Sequence, residues 1–217
     1  MSSKNALIIF TRNPVLGRVK TRLAKSVGNE TALDIYCFLL NKTKEVTKNI
    51  PGDKIIFYSE KILDKDLWDT TTYKKELQYG SDLGAKMNNA FETCFKKKYE
   101  KVVLIGSDLF DLEECHIYEA FEKLEKNEAV IGPALDGGYY LLGLKKNYPE
   151  IFINKNWGTS SVRKDTIKNL EKVNVHLLPM LNDIDVIEDI KQHPAFTKFL
   201  SFKEDIKPLD KKQIEKR

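Results

Sequence analysis

Three cationic side chains, Arg18, Lys20 and Arg22, lie close together near the amino end of the chain. They follow a short apolar run, predicted as a strand over residues 6–10, in a segment that also contains a proline and a glycine. Guanidinium and ammonium groups are the usual ligands of phosphate oxygens. Charge runs are more often a solvated surface, but the position directly after a buried strand favours a phosphate-binding loop.

The spacing of these cations sets a condition on the local backbone. Arg18 and Arg22 are four residues apart, so a helix would place them on one face, with Lys20 roughly opposite. All three side chains can therefore converge on one phosphate group only if part of the segment is non-helical.

Two aspartates later in the chain stand where acidic chemistry is expected. Asp108 directly follows the strongest predicted strand, 101–106, where it could hold Mg²⁺ or Mn²⁺ together with substrate phosphates, or cap the next turn. Asp136 precedes Gly137 and Gly138, and two glycines let the backbone approach a ligand closely. An Asp-Gly hairpin turn is the alternative for Asp136, and both can hold at once.

Two further segments leave alternatives open. Asp183 and Asp185 share a face if the chain is extended there, although Asp185 and Glu188 also fit a variant capping box. The segment 157–161, Trp-Gly-Thr-Ser-Ser, is either a loop on the acceptor side of a site or a buried aromatic beside a helix cap.

Strands and helices alternate along the chain, which is the pattern of a doubly wound, mostly parallel sheet. A helix is predicted from Asn29 as N-cap, and another is capped by Asp82. The glycine turn at 137–138 predicts that the strand after it runs antiparallel. The predicted strands are 6–10, 54–59, 76–79, 101–106, 129–132, 139–144 and 175–178, and further helices are predicted at 62–68, 112–126, 160–171 and after Asp185.

Composition limits the class of protein. The chain has 217 residues, 41% hydrophobic and 31% charged, which fits one domain over 1–200 followed by a charged tail over 201–217. No apolar run is long enough to span a membrane, and the amino end lacks a secretory signal pattern. Three scattered cysteines predict reduced thiols in a cytoplasmic protein. The net charge of +4 is interleaved with acids and no nucleic-acid motif is present, so a small anionic ligand is expected.

Five stretches together resemble the glycosyltransferase A-like, or nucleotide-diphospho-sugar transferase, superfamily, and more narrowly a bacterial family of the DUF2064 type. The stretches are 14–23, 80–84, 106–108, 133–140 and 183–185. The resemblance implies a three-layer α/β/α fold around a mixed, mostly parallel sheet. Relatives usually carry a proline at the position of Phe110, so this chain departs from the pattern there and a less rigid loop is expected.

The resemblance also implies roles for individual residues. Arg18, Lys20 and Arg22 would face the phosphates of a nucleotide or nucleotide sugar, with Lys20 assisting catalysis. Asp136 would orient a small-molecule acceptor or serve as base, and Asp108 and Asp185 would hold Mg²⁺ or Mn²⁺. Gly80, Leu83 and Gly84 would lie near the base, and Gly137 and Gly138 would also contact the nucleotide substrate.

Three functions remain in competition on the sequence alone. The first is a metal-dependent glycosyltransferase that moves a sugar from a nucleotide diphosphate to a small acceptor. The second is a nucleotidyltransferase that releases pyrophosphate, because the cationic loop resembles that of guanylyltransferases and three cations suit a triphosphate. The third is a non-catalytic nucleotide-binding module, supported only by Phe110. The sequence specifies neither the base, the acceptor nor the oligomeric state.

Overall fold

The computed structural model describes residues 4–200, and the predicted tail over 201–217 lies outside them. Seven strands and seven helices follow one another along these residues. The strands are β1 (Asn5–Thr11), β2 (Asp53–Tyr58), β3 (Tyr73–Leu77), β4 (Lys101–Ile105), β5 (Ala129–Pro133), β6 (Tyr139–Leu144) and β7 (Val175–Leu177). The helices are α1 (Thr21–Val27), α2 (Asn29–Thr47), α3 (Leu83–Lys96), α4 (Glu114–Lys123), α5 (Val162–Asn169), α6 (Ile187–Ile190) and α7 (Thr197–Leu200).

All seven strands form one sheet in the order β3-β2-β1-β4-β6-β5-β7. β6 runs antiparallel to both of its neighbours, β4 and β5, as the glycine turn before it predicted, and the other pairs are parallel. The chain extends the sheet to one side of β1 through β2 and β3, and to the other side from β4. The carboxyl ends of β1 and β4 therefore form the switch point at which open α/β sheets bind ligands.

Helices cover both faces of the sheet, because alternate residues of its central strands point to opposite sides. Leu7 and Ile9 of β1 pack with α2 and α4, whereas Ala6 and Ile8 pack with α3 and α5. A third apolar cluster joins α1 and α6 to the outer face of α2. The expected three-layer α/β/α architecture is confirmed, and its continuous apolar strands are those of a sheet buried on both faces.

Two local predictions are wrong. Residues 62–68 form bends and turns instead of a helix, and Asp66 accepts a hydrogen bond from the Trp68 amide at 3.0 Å, which favours a turn. Asn29 is the first residue of α2, while the cap position is Gly28 with φ of 89°. Asp82, by contrast, caps α3 as predicted, accepting a hydrogen bond from the Ala85 amide at 2.8 Å.

The loop after β4 is anchored at the position where relatives usually carry proline. The Phe110 ring stacks on Phe38 of α2, with ring centroids 5.6 Å apart, and meets Phe196 edge-on at 5.2 Å. Aromatic packing therefore restrains the loop that presents Asp108, in place of a proline ring. The expectation of a less rigid loop is not supported by these contacts.

Among residues 4–200, no helix combines the length and the apolar character that a membrane crossing requires.

Candidate active site

A cavity of about 850 Å³ opens at the carboxyl ends of the central strands and contains both groups of residues singled out by the sequence. The three cations at Arg18, Lys20 and Arg22 line it, and so do Asp108 and Asp136. The cationic loop after β1 and the acidic loops from the middle of the chain thus face one space. A site that binds phosphate groups through cations, and a divalent ion through carboxylates, would require this arrangement.

The cationic segment is partly non-helical, which meets the condition set by its spacing. Lys20 adopts the left-handed conformation, with φ of 46° and ψ of 44°, and α1 begins only at Thr21. The buried Val19 and Leu23 side chains fix the segment to the core on either side. Lys20 therefore leaves the helical path and turns toward the sheet.

Lys20 forms an ion pair with Asp108 inside the cavity. Its Nζ lies 2.9 Å from Oδ2 of Asp108, and only 6% of the Lys20 side chain is exposed, against 40% for Asp108. Burial alone would raise the pKa of Asp108, but the Lys20 ammonium, with a smaller contribution from Arg12, holds that pKa below its ordinary value. The Asp108 carboxylate is consequently an anion held against a nearly buried cation.

The two arginines also have acidic partners, but at the exposed rim of the cavity. Arg18 Nη1 lies 3.4 Å from Glu60 Oε2, and Arg22 Nη1 lies 2.5 Å from Asp185 Oδ2. Both arginine side chains are about two-thirds exposed, at 66% and 68%. Exposed ion pairs of this kind add about 0–1 kcal/mol to stability, so a ligand phosphate can exchange with the carboxylates at little cost.

The acidic group is built around Asp183, to which sequence reasoning assigned no role. The Ile184 amide donates to the Asp108 carbonyl at 3.2 Å, which brings the segment after β7 against the loop after β4. Burial, then the charges of Asp108 and Asp136, raise the pKa of Asp183 to about 6. Three carboxylates from three separate loops therefore repel one another in this part of the cavity.

The hairpin-turn alternative for Asp136 is confirmed. Its Oδ1 accepts a hydrogen bond from the Gly138 amide at 2.8 Å, which closes an Asx-type turn between β5 and β6. The same residue lines the cavity.

The glycines implied near the nucleotide divide into two groups. Gly138 lines the cavity, as does Leu83, the leucine implied in the same role. Gly80, Gly84 and Gly137 do not line it. A Cβ on Gly84 would lie 2.3 Å from the Phe152 carbonyl oxygen, and one on Gly137 would lie 2.4 Å from that of Ser160. Close packing of loops therefore accounts for these glycines. A Cβ on Gly80 would likewise meet the first turn of α3, at 2.7 Å from the Lys86 nitrogen.

The capping alternative for Asp185 is wrong. The carboxylate that accepts hydrogen bonds from the Asp185 and Val186 amides belongs to Asp189, at 2.8 and 2.7 Å. The Asp185 side chain is therefore available to pair with Arg22. The two aspartates therefore have different neighbours: Asp185 pairs with Arg22, whereas Asp183 is repelled by the charge of Asp108.

Several cavity residues had no assignment from the sequence. Arg12, Asn13 and Tyr36 lie in or beside segments that the sequence marked, but nothing in their spacing distinguishes them from core or surface residues. Asn13 is buried, and its Oδ1 accepts from the amides of Glu60 and Lys61 at 3.0 and 3.2 Å. It fastens the loop after β1 to the loop after β2. Trp157 and its neighbours Gly158 and Thr159 also line the cavity.

Oxygen ligands are what Mg²⁺ and Mn²⁺ require, and the acidic cluster offers them. Burial, together with the charges of Asp108 and Asp136, raises the pKa of Asp183, and a bound divalent cation would stabilise its ionised form. In the described chain, however, no group of three or more His, Cys, Asp or Glu side chains has the arrangement of a formed metal site. Two carboxylates combined with substrate phosphates are a donor set that these ions accept, so the oxygens of Asp108 and Asp183 are chemically compatible with such an ion.

Comparisons with known proteins agree with this fold. The structure of the "putative nucleotide-diphospho-sugar transferase" from Desulfovibrio desulfuricans G20 is 29% identical, with a TM-score of 0.82 over 93% of this chain and 96% of that chain. The 4-diphosphocytidyl-2C-methyl-D-erythritol synthase of Anaerococcus prevotii shares the fold at 13% identity, with a TM-score of 0.59 over 90% of this chain and 96% of that chain.

A curated relative is named 2-phospho-L-lactate guanylyltransferase, from Methanocaldococcus jannaschii. It is 29% identical over 140 residues, which are 64% of this chain and 59% of the relative. The match thus spans less than two-thirds of that protein's length. Residues 42–159, more than half of the chain, match the family described as "Uncharacterized protein conserved in bacteria (DUF2064)". The chain belongs to this DUF2064 family and has the fold of the nucleotide-diphospho-sugar transferases.

Proposed function

We propose that this protein is a nucleotidyltransferase, which transfers a nucleotidyl group from a nucleoside triphosphate to an anionic oxygen of a small acceptor and releases pyrophosphate. The observation that carries the proposal is the shared cavity, in which the cations at Arg18, Lys20 and Arg22 face the carboxylates of Asp108 and Asp183. The similarity to a guanylyltransferase supports the same class of reaction.

The reaction places charge where the cationic segment lies. An acceptor oxygen attacks the α-phosphorus, and the bond from that phosphorus to the oxygen bridging to the β-phosphate breaks. The leaving pyrophosphate takes up the electron pair, and Arg18, Lys20 and Arg22 stabilise the charge that develops on it. Lys20 has the largest share in this role, because its side chain is nearly buried and its charge is least screened.

Asp108 and Asp183 are the residues that would hold Mg²⁺ or Mn²⁺. When bound, such an ion would neutralise phosphate charge and orient the triphosphate for in-line displacement. This assignment replaces Asp185, which faces Arg22, with Asp183, which interacts with Asp108. Lys20 is then both the partner of a metal-binding carboxylate and a phosphate ligand.

The role expected of Asp136 differs between nucleotidyl transfer and glycosyl transfer. A phosphate or carboxylate acceptor is already ionised at neutral pH and needs no general base, so Asp136 would only orient it. A sugar acceptor attacks through a hydroxyl, whose proton must be removed, and Asp136 would be the base. Glycosyl transfer is the second candidate, favoured by the similarity over 93% of the chain to the protein from Desulfovibrio desulfuricans.

The test is a comparison of two products. Purified protein with Mg²⁺ or Mn²⁺ is incubated with each nucleoside triphosphate and a panel of phosphorylated or carboxylated small molecules, and pyrophosphate release is measured. Parallel reactions contain nucleotide sugars, with nucleoside diphosphate release as the readout. We expect acceptor-dependent pyrophosphate release, abolished in Lys20→Met. Nucleoside diphosphate release without pyrophosphate release would establish glycosyl transfer instead.

Asp136→Asn gives an independent readout of the same choice. We expect it to lower nucleotidyl transfer to an ionised acceptor by less than about tenfold, because no proton is removed. Loss of a general base typically costs about 100-fold to 10,000-fold, and a loss of that size would favour glycosyl transfer. Because the proposed substrates are nucleoside triphosphates, we also propose that the protein acts in the cytoplasm.

A further inference from the structure

The hydroxyl of Tyr36 lies at the switch point of the sheet, between the ends of the two central strands. Tyr36 belongs to α2, and its side chain is only 3% exposed although it borders the cavity. Four polar atoms surround its hydroxyl oxygen. They are the Arg12 nitrogen at 2.9 Å, the Arg12 carbonyl oxygen at 3.1 Å, Thr11 Oγ1 at 3.2 Å and Ser107 Oγ at 3.3 Å.

These partners come from two different loops. Thr11 and Arg12 lie at the end of β1 and lead into the cationic segment, whereas Ser107 precedes Asp108 at the end of β4. β1 and β4 are paired in parallel up to Ile9 and Ile105, beyond which the ladder between them stops. The hydrogen bonds of the Tyr36 hydroxyl therefore link the two loops beyond the point where the backbone pairing of β1 and β4 ends.

The hydroxyl acts as a neutral hydrogen-bonding group. Burial raises the pKa of Tyr36 above its ordinary value, so at neutral pH the group keeps its proton and can donate to the Arg12 carbonyl while it accepts from the Arg12 amide. It makes no contact with the carboxylates that would hold a metal. Apart from the effect of the Asp108 charge, which helps to raise the pKa of Tyr36 after burial, its influence on the site passes through the loops that it joins.

We propose that Tyr36 is a positioning residue that fixes the distance between the phosphate-binding cations and the carboxylate of Asp108. This inference rests on the proposed function. The cations follow one loop and the carboxylate follows the other, and in the proposed reaction the triphosphate must contact both. Displacements of about 1 Å at such a site cost up to about 100-fold in rate.

Tyr36→Phe tests the proposal, and Tyr73→Phe is its matched control. The Tyr73 hydroxyl is equally buried and also bonds to α2, at 3.0 Å from Thr47 Oγ1 and 3.2 Å from the Lys44 carbonyl oxygen, but it lies away from the cavity. Both variants lose one buried hydroxyl, so a general loss of stability appears in both. Only Tyr36→Phe removes a hydroxyl that bonds to both loops, which then keep, among the described residues, just the hydrogen bond from Ser107 Oγ to Thr11 Oγ1 at 3.4 Å.

We expect Tyr36→Phe to lower kcat for pyrophosphate release at least roughly tenfold, with KM for the nucleoside triphosphate changed less than about threefold. The contacts to each end of the triphosphate survive, while their mutual alignment is lost. Tyr73→Phe should leave kcat within about twofold of the unsubstituted protein. Ser107→Ala removes the hydrogen bonds from the β4 loop to both Tyr36 and Thr11, so it should give a comparable loss and serves if Tyr36→Phe folds poorly.

Amide hydrogen exchange of the free protein supplies a readout that needs no activity. Tyr36→Phe should accelerate exchange at both 11–13 and 106–109, and Tyr73→Phe at neither. Equal exchange in the two variants, or equal kcat, would refute the positioning role. If the unsubstituted protein transfers no nucleotide but exchange rises at both loops, the connection through Tyr36 stands and the proposed function fails.

Discussion

The two halves of the cavity are built in different ways. The cationic half comes from one continuous segment, with Arg18 and Arg22 exposed at the rim and Lys20 turned inward by its left-handed backbone. The acidic half is assembled from three loops far apart in the chain, which contribute Asp108, Asp136 and Asp183. The first half is held by local geometry, and the second only by tertiary contacts.

This difference also appears in the electrostatics. Each cation has a carboxylate partner within 3.4 Å, so the cationic half is neutralised in the free protein. Asp183 is partly buried beside two other carboxylates, and its raised pKa means that its ionised form is disfavoured in the folded protein. The acidic half is therefore the strained half, and substitutions in it should change stability as well as activity. Substitutions at the cationic rim should change activity alone.

The largest effect is expected for Asp108→Ala. The nearly buried Lys20 ammonium would lose its counter-charge, and we expect the free energy of unfolding to fall by about 2 kcal/mol. Turnover should fall at least about 100-fold, as for loss of a charge-stabilising group. Urea unfolding and pyrophosphate release measure the two effects. Asp111→Ala, which removes a half-exposed acid from the same loop, should change neither by a comparable amount.

Asp183→Asn should act in the opposite direction on stability. The folded protein holds the pKa of Asp183 at about 6, above its ordinary 3.8, so it binds a proton more readily than the unfolded chain. Stability contributed by protonation is present below pH 4 and is lost as pH rises through 6. In EDTA at pH 7.5 the variant should therefore be more stable than the unsubstituted protein by on the order of 2 kcal/mol.

The difference between these two proteins should disappear below pH 4, where Asp183 is protonated in both states. Asp69→Asn is the control of opposite sign, because hydrogen bonds from Thr71 and Thr72 lower the pKa of Asp69 and its loss should destabilise at neutral pH. A flat stability difference for Asp183→Asn across the titration would show that burial and the neighbouring carboxylates do not raise the pKa of Asp183. Thermal unfolding at several pH values is the measurement.

Arg22→Gln should leave stability within about 0.5 kcal/mol, because its pair with Asp185 is exposed. Affinity for inorganic pyrophosphate in the presence of Mg²⁺ should fall about tenfold, equivalent to about 1.4 kcal/mol, since one charge-assisted contact is lost. Isothermal titration calorimetry measures this change. Lys48→Gln removes a cation from an exposed pair outside the cavity and should leave the affinity unchanged.

The smallest effect is expected for Glu60→Gln, which releases Arg18 from its carboxylate partner. Affinity for a nucleoside triphosphate should rise about twofold to threefold at low salt and return to the original value at 0.5 M salt, where exposed charges are screened. Glu92→Gln releases Lys96 from a similar pair on α3 and is the control. A fall in affinity for Glu60→Gln would mean that Glu60 positions Arg18 instead of competing for it.

The contrast between the halves explains what could be predicted from the sequence. The cationic segment, the strand before it and the Asp-Gly-Gly turn are local patterns, and the structure bears out their geometry. The choice of Asp183 over Asp185 depends on the hydrogen bond from the Ile184 amide to the Asp108 carbonyl, which no spacing along the chain encodes. The same holds for Tyr36, whose helical spacing is that of an ordinary core residue. The turns at 62–68 were missed because their apolar residues repeat at helical spacing while Asp66 stabilises a turn.

The contact between the Ile184 amide and the Asp108 carbonyl has a consequence for biosynthesis. The ribosome releases the cationic segment first. It releases the segment containing Asp183 only after all seven strands have been made. In the nascent chain, Arg22 therefore lacks its partner Asp185 until this last segment has been made, whereas the partners of Arg18 and Lys20 are made earlier.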